Sequence, residues 1–176
     1  QAGTFLHELG HNLGLNHAGI DPHTKTDDHF YIDGKPNHVS VMNYNLQFGY
    51  EQNGELSFGY SALACDELSE DNVSERSGIQ CRGLEDGARF KVTVFSNNCE
   101  DKFGAGHQIT IGEGIDFNGK KGSSEKLSAF DANCDGDVSS LPATRNEYRD
   151  LKFSGGLIGK KPGKRFRAAI KSAIAN

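Results

Sequence analysis

His7-Glu8-Leu9-Gly10-His11-Asn12-Leu13-Gly14-Leu15-Asn16-His17 is the stretch on which the reading of this chain turns. His7 and His11 are four residues apart, so on a helix they stand one above the other on a single face. Two imidazoles placed in this way can share one small cation. Glu8 follows the first of them and projects beside the ion without taking a ligand position. Gly14, three residues after His11, tolerates left-handed backbone angles. The helix can end there, and the chain can turn sharply enough to bring His17 back as a third ligand. Three neutral nitrogen ligands suit zinc and leave a fourth position for water, the arrangement of a catalytic site. A bare His-Glu-x-x-His arises by chance; the eleven-residue pattern with its glycine and third histidine is far less easily accidental.

The extended pattern resembles that of the metzincin metallopeptidases, and Ser40-Val41-Met42-Asn43-Tyr44 resembles the methionine turn that follows it in that family. The resemblance implies that Met42, the single methionine of the chain, lies under the zinc. It also implies that Tyr44, two residues on, helps bind the transition state; the other reading of Tyr44 is an ordinary half-buried tyrosine. Lys35-Pro36-Asn37 with Val39 to Gln47 is similar to a subgroup of secreted bacterial metzincins whose protease is often followed by calcium-loop segments. The resemblance covers roughly the first half of the chain well and the rest loosely. It implies zinc held by His7, His11 and His17, Glu8 as general base, a peptide or protein substrate and a secreted or extracellular location. It further implies an upstream sheet, the other half of the domain, expected to precede Gln1, without which the chain alone is expected to be a poor peptidase.

The 176 residues suit one domain, or a domain with a small appendage. Hydrophobic residues make up only 35% and glycines number 22, which predicts much loop and a modest core. No apolar run reaches the length of a membrane span. The net charge of −5 is unevenly placed: residues 151–176 hold seven cations and no acid, which leaves −12 for the remainder. An acidic body argues against nucleic acid as a partner. The four cysteines, Cys65, Cys81, Cys99 and Cys134, contain no Cys-x-x-Cys pair and allow three disulfide pairings. Cys81–Cys99, closing a loop around one strand, is the pairing expected first.

Along the chain, residues 2–13 read as a buried helix whose apolar stripe is Ala2, Leu6, Leu9 and Leu13. Residues 18–37 read as a polar loop in which His23 and His29, with His38 just beyond, are solvated. Turns and short extended pieces are expected over 45–64, and a short helix over 66–76 stopped by Gly78. Phe90, Val92 and Val94 alternate with Lys91 and Thr93, a strand signal, and a weaker one spans 108–111; together they predict a small antiparallel element. Residues 155–163 read as a linker and 165–175 as a basic helix docked on the acidic body rather than on a membrane.

Asp131, Asn133, Asp135 and Asp137 begin a calcium loop, with Gly136 at the turn position. The twelfth position is Pro142 where an acid should stand, so Glu147 or Asp150 would have to substitute; an acidic turn is the plain alternative. Lys120 in the third ligand position makes a similar start at Asp116-Phe117-Asn118-Gly119 a poor site. The expected fold class is therefore α+β: the lower, zinc-binding part of a metzincin catalytic domain over 1–80, a small β element over 81–112, a dockerin-like calcium-loop segment over 113–154, and a basic linker and helix over 155–176. The expected function is zinc-dependent peptide hydrolysis. The competing reading is a calcium-stabilised binding module with a remnant zinc site, which the intact Glu8 disfavours.

Overall fold

The computed structural model describes residues 1–20, 32–85, 87–94, 107–112, 114–118 and 126–152. The expectations for His23 and His29, for Cys99 and for the basic helix lie outside these residues. Among them the chain is mixed α and β, with a single α-helix, α1 (Ala2–Asn12), and short antiparallel strands. Strands β1 (Tyr50–Gln52) and β2 (Glu55–Ser57) form a hairpin. With β7 (Phe90–Val94) and β8 (His107–Thr110) they make a four-stranded sheet in the order β2-β1-β7-β8. The register sets Val92 opposite Ile109, both buried on the core face. Three two-stranded ladders complete the β structure: β3 (Ala64–Cys65) with β6 (Cys81–Arg82), β4 (Leu68–Ser69) with β10 (Ser140–Leu141), and β5 (Val73–Ser74) with β9 (Lys126–Leu127). No described helix is long and apolar enough to cross a membrane.

The buried side chains divide into two clusters. The larger one joins the sheet and the ladders through Val92, Ile109, Phe117, Phe130 and Leu141. The smaller one lies beneath α1 and consists of Leu15, Val41, Met42 and Tyr60, with Leu6, Leu13 and Leu151 against it.

Three expectations change here. The buried face of α1 is Gly3, His7 and Gly10, not the leucine stripe; Ala2 and Leu9 are exposed. Small residues win because the helix lies very close to its support. A Cβ on Gly3 would fall 1.8 Å from the Gln47 carbonyl oxygen, and one on Gly10 would fall 2.3 Å from Met42 Sδ. Residues 66–76 hold only a single 3-10 turn, Glu70–Asn72, between β4 and β5. Leu68 and Val73 are drawn into the core by partners at 140–141 and 126–127, and the buried Glu70 carboxylate accepts the amides of Ala132 (2.6 Å) and Ser139 (3.1 Å). Tertiary pairing overrides local helix propensity in such short segments. Finally, Cys81 is bonded to Cys65, its partner in the β3–β6 register, and not to Cys99; Cys134 is disulfide-bonded as well.

Candidate metal centre

α1 supplies the first two histidines, and its C-terminus supplies the turn to the third. Gly14 takes φ +90°, its amide donates to His11 O, and the Leu15 amide reaches back to Gly10 O at 2.9 Å. This is the paired hydrogen-bonding of a Schellman cap, in which the left-handed residue favours glycine. The cap drops Leu15 onto the Met42 cluster and turns the chain so that His17 faces the helix.

The three Nε2 atoms converge. They lie 3.2 Å (His7–His11), 3.0 Å (His11–His17) and 3.2 Å (His7–His17) apart. Four-coordinate zinc with bonds of about 2.0–2.1 Å sets its nitrogens about 3.3–3.4 Å apart, close to this triangle. The opposite ring nitrogens of the two helical histidines are held by backbone carbonyls. His7 Nδ1 donates to Val41 O at 2.8 Å and His11 Nδ1 to Leu15 O at 3.2 Å; because a carbonyl can only accept, a proton sits on each Nδ1, and in the neutral ring Nε2 is then the nitrogen that carries the lone pair. Burial holds His17 below the usual imidazole pKa; the negative charge of Asp33 works against that, and His11 and His7 work with it. The neutral form favoured in this way is the one that binds metal. Bare nitrogens so close together repel one another unless a cation sits among them, so the donor set fits a small divalent ion. Among the described residues this is the one group of three or more His, Cys, Asp or Glu donors brought together in this way.

The Ser40–Asn43 bend places Met42, fully buried, against Gly10 of α1, which lies between the two helical histidines in sequence. Tyr44 follows at the surface. Its ring stacks on His7 (centroids 4.9 Å apart) and tilts against His17 (4.5 Å), and its amide donates to Asp33 Oδ1 at 3.1 Å. Glu8 is exposed on α1 and is not one of the three converging donors.

No protein-family model, no curated protein and no solved structure matches the chain. What the centre can do therefore rests on its own residues.

Sequence reading missed the polar layer under the centre. His38 is fully buried rather than solvated, and it contacts the backbone of His17 and the side chain of Glu147. Its irregular spacing from the other histidines gave no signal of this. Lys35 is also fully buried, with Nζ donating to Pro142 O at 3.0 Å. Burial lowers its pKa to about 7, against a smaller opposing pull from the Glu147 charge. The sign of the consequence follows. From about pH 7 to about pH 10 the unfolded chain keeps a lysine proton that the folded chain has released, so stability rises across that window and is lost again as pH falls to 7. Burial raises the pKa of Tyr50 and Tyr60, which keeps their ionisation above the window. Urea unfolding should show a rise of at most about 3–4 kcal/mol, and Lys35→Met should flatten it. A native profile as flat as that of the variant would contradict the buried lysine.

The acidic loop departs from a complete calcium site. The Asp131 carboxylate accepts the amides of Asp135 and Gly136, Asp135 Oδ1 accepts the Asp137 amide, and Asp137 Oδ1 accepts the Val138 amide. Neither substitute for the twelfth position is brought to the loop. Glu147 is held by His38 and Ser61, and Asp150 faces Arg145 at 3.4 Å. Asn133 is buried, its Nδ2 donates to Asp33 O and Asp135 Oδ2, and its Oδ1 has no hydrogen-bond partner.

Proposed function

We propose that this chain carries the zinc-binding part of a secreted, metzincin-like metallopeptidase. The observation that carries the reading is the meeting of three imidazole nitrogens, two of them on rings whose Nδ1 is held by a carbonyl, with an exposed glutamate next to His7 in sequence that is not among the converging donors. His7, His11 and His17 would hold the ion. Zinc bound there supplies Lewis acidity, polarising the scissile carbonyl and bringing the pKa of its water to about 7. Glu8 accepts the proton of the attacking water and delivers it to the leaving amine. The Tyr44 hydroxyl, on a ring that stacks on His7 and tilts against His17, donates to the carbonyl oxygen as negative charge develops there. Met42 is structural: it fills the space that Gly10 leaves and supports the ligand helix. The Cys65–Cys81 bond fits an oxidising compartment. The test is hydrolysis of a mixed peptide library by the zinc-loaded chain. Cleavage should stop with a chelator and return with zinc; cleavage indifferent to both would sink the proposal.

A calcium ion at Asp131, Asn133, Asp135 and Asp137 is a second part of the reading, carried by the buried, unpartnered Asn133 Oδ1. Calcium should raise the thermal midpoint, because the unfolded loop has no site for it. Asp131→Ala with Asp135→Ala should abolish the shift. A native midpoint indifferent to calcium would leave the loop as an acidic turn.

A further inference from the structure

Three buried titratable side chains, Lys35, His38 and Glu147, have no part in the proposed chemistry. His38 and Glu147 are 109 residues apart in sequence and meet at 3.0 Å between Nε2 and Oε1. The other carboxylate oxygen of Glu147 accepts the Ser61 amide at 2.6 Å. On the far edge of the ring, His38 Nδ1 donates to the carbonyl oxygen of His17 at 2.8 Å. That oxygen can only accept, so one proton belongs to Nδ1, and a second must lie between Nε2 and Oε1. An unbroken line of hydrogen bonds thus runs from Ser61 through Glu147 and His38 to the third of the converging histidines.

The same segment grips the turn on both sides of His17. The Lys152 amide donates to Leu13 O at 2.8 Å and the Arg145 amide to Gly19 O at 2.9 Å. The His38 ring lies on Gly19, where a Cβ would come within 2.5 Å of Cδ2 and Nε2 and where φ is +61°. His7 and His11 are set in place by the helix that carries them. His17 sits outside the helix, on a turn that contains two left-handed glycines, Gly14 and Gly19.

We propose that Glu147 is a positioning residue for the metal centre: acting through His38, it fixes the backbone of His17 so that the third imidazole is set before the ion arrives. The role rests on the zinc reading above. A buried charged pair is a poor way to gain stability, since an apolar pair of similar volume commonly does as well. Fixing the direction of a ligand is something an apolar pair cannot do, and outer partners of metal ligands commonly act in this way.

The experiment uses the full chain. Zinc affinity is measured by competition with a chromophoric chelator, and ligand geometry by the visible absorption of the cobalt(II)-loaded protein. Glu147→Ala and His38→Ala are expected to weaken zinc binding about 10–100-fold and to shift the cobalt bands. Glu147→Gln should stay within a few-fold of native with native bands, because its carboxamide can still accept from Ser61 and donate to His38 Nε2. Val73→Ala, in the other core cluster, should lower the thermal midpoint and leave both readings alone. Should Glu147→Ala fail to fold, Glu147→Asp withdraws the oxygens by one methylene and is expected to give the same weakening and band shift. Folded Glu147→Ala or Glu147→Asp and His38→Ala proteins with native affinity and bands would overturn the positioning role alone. So would a Val73→Ala protein that loses as much affinity for the same loss of midpoint. A native chain that binds no zinc would overturn the metal reading, and the positioning role with it.

Discussion

The Glu8→Gln protein is expected to bind zinc as the native chain does and to cleave peptides about 10²–10⁴-fold more slowly. The separation follows from where Glu8 stands. The residue before it, His7, points into the protein and is fully buried, whereas Glu8 is exposed on the next step of the helix and contributes no atom to the converging donors. Glutamine matches glutamate in shape and in helix propensity, so neither α1 nor the ligand geometry has reason to change. Only the capacity to accept a proton is removed. The comparison requires zinc content and kcat/KM on the same preparations. Activity that survives the change would remove Glu8 from the mechanism. Zinc and activity lost together would make Glu8 part of the scaffold of the site instead of its base.

The centre was legible because its determinants are local. A four-residue spacing on a helix, a glycine that permits a left-handed turn and a third histidine after the turn are all contained in one stretch, and the Schellman cap at Gly14 realises them directly. Strand β7 was legible for the same reason: the alternation of Phe90 and Val92 with Lys91 and Thr93 is a property of adjacent residues. What stayed hidden depends on residues far apart in the chain. Nothing near His38 announces that Glu147 will meet it, and nothing near Lys35 announces that Pro142 will. The leucine stripe of α1 misled because it measures hydrophobicity, while the packing here is decided by closeness of approach, which favours glycine at positions 3 and 10. The helix expected over 66–76 failed because its acids have tertiary duties: Glu70 is buried to hold two loop amides, which no local pattern of charge reveals. The hydrogen bonds from residues 142–152 to Lys35, Leu13, Gly19 and His38 are hidden for the same reason, since each joins residues far apart in the chain.

Replacing His11 with alanine is expected to abolish tight zinc binding while leaving the fold in place. His11 is one corner of a nearly equilateral triangle, 3.2 Å from His7 and 3.0 Å from His17, so its loss leaves two nitrogens where three converge. It is exposed on α1, and the hydrogen bond from its Nδ1 to Leu15 O at 3.2 Å closes a turn that the Gly14 and Leu15 amides already hold. Loss of the ring therefore costs the metal-free chain little, and it relieves the crowding of three ring nitrogens. Alanine is also the better helix former, by less than about 1 kcal/mol. The two proteins should then differ chiefly in their response to metal. With free zinc at about 1,000 times its dissociation constant the native chain gains about 4 kcal/mol, a rise in midpoint of several degrees, whereas His11→Ala gains almost nothing. Thermal unfolding with and without zinc, beside direct metal analysis, measures both quantities. Undiminished zinc content in the variant would place the metal elsewhere in the chain; a metal-free variant that is much less stable than the metal-free native chain would make His11 a structural residue first.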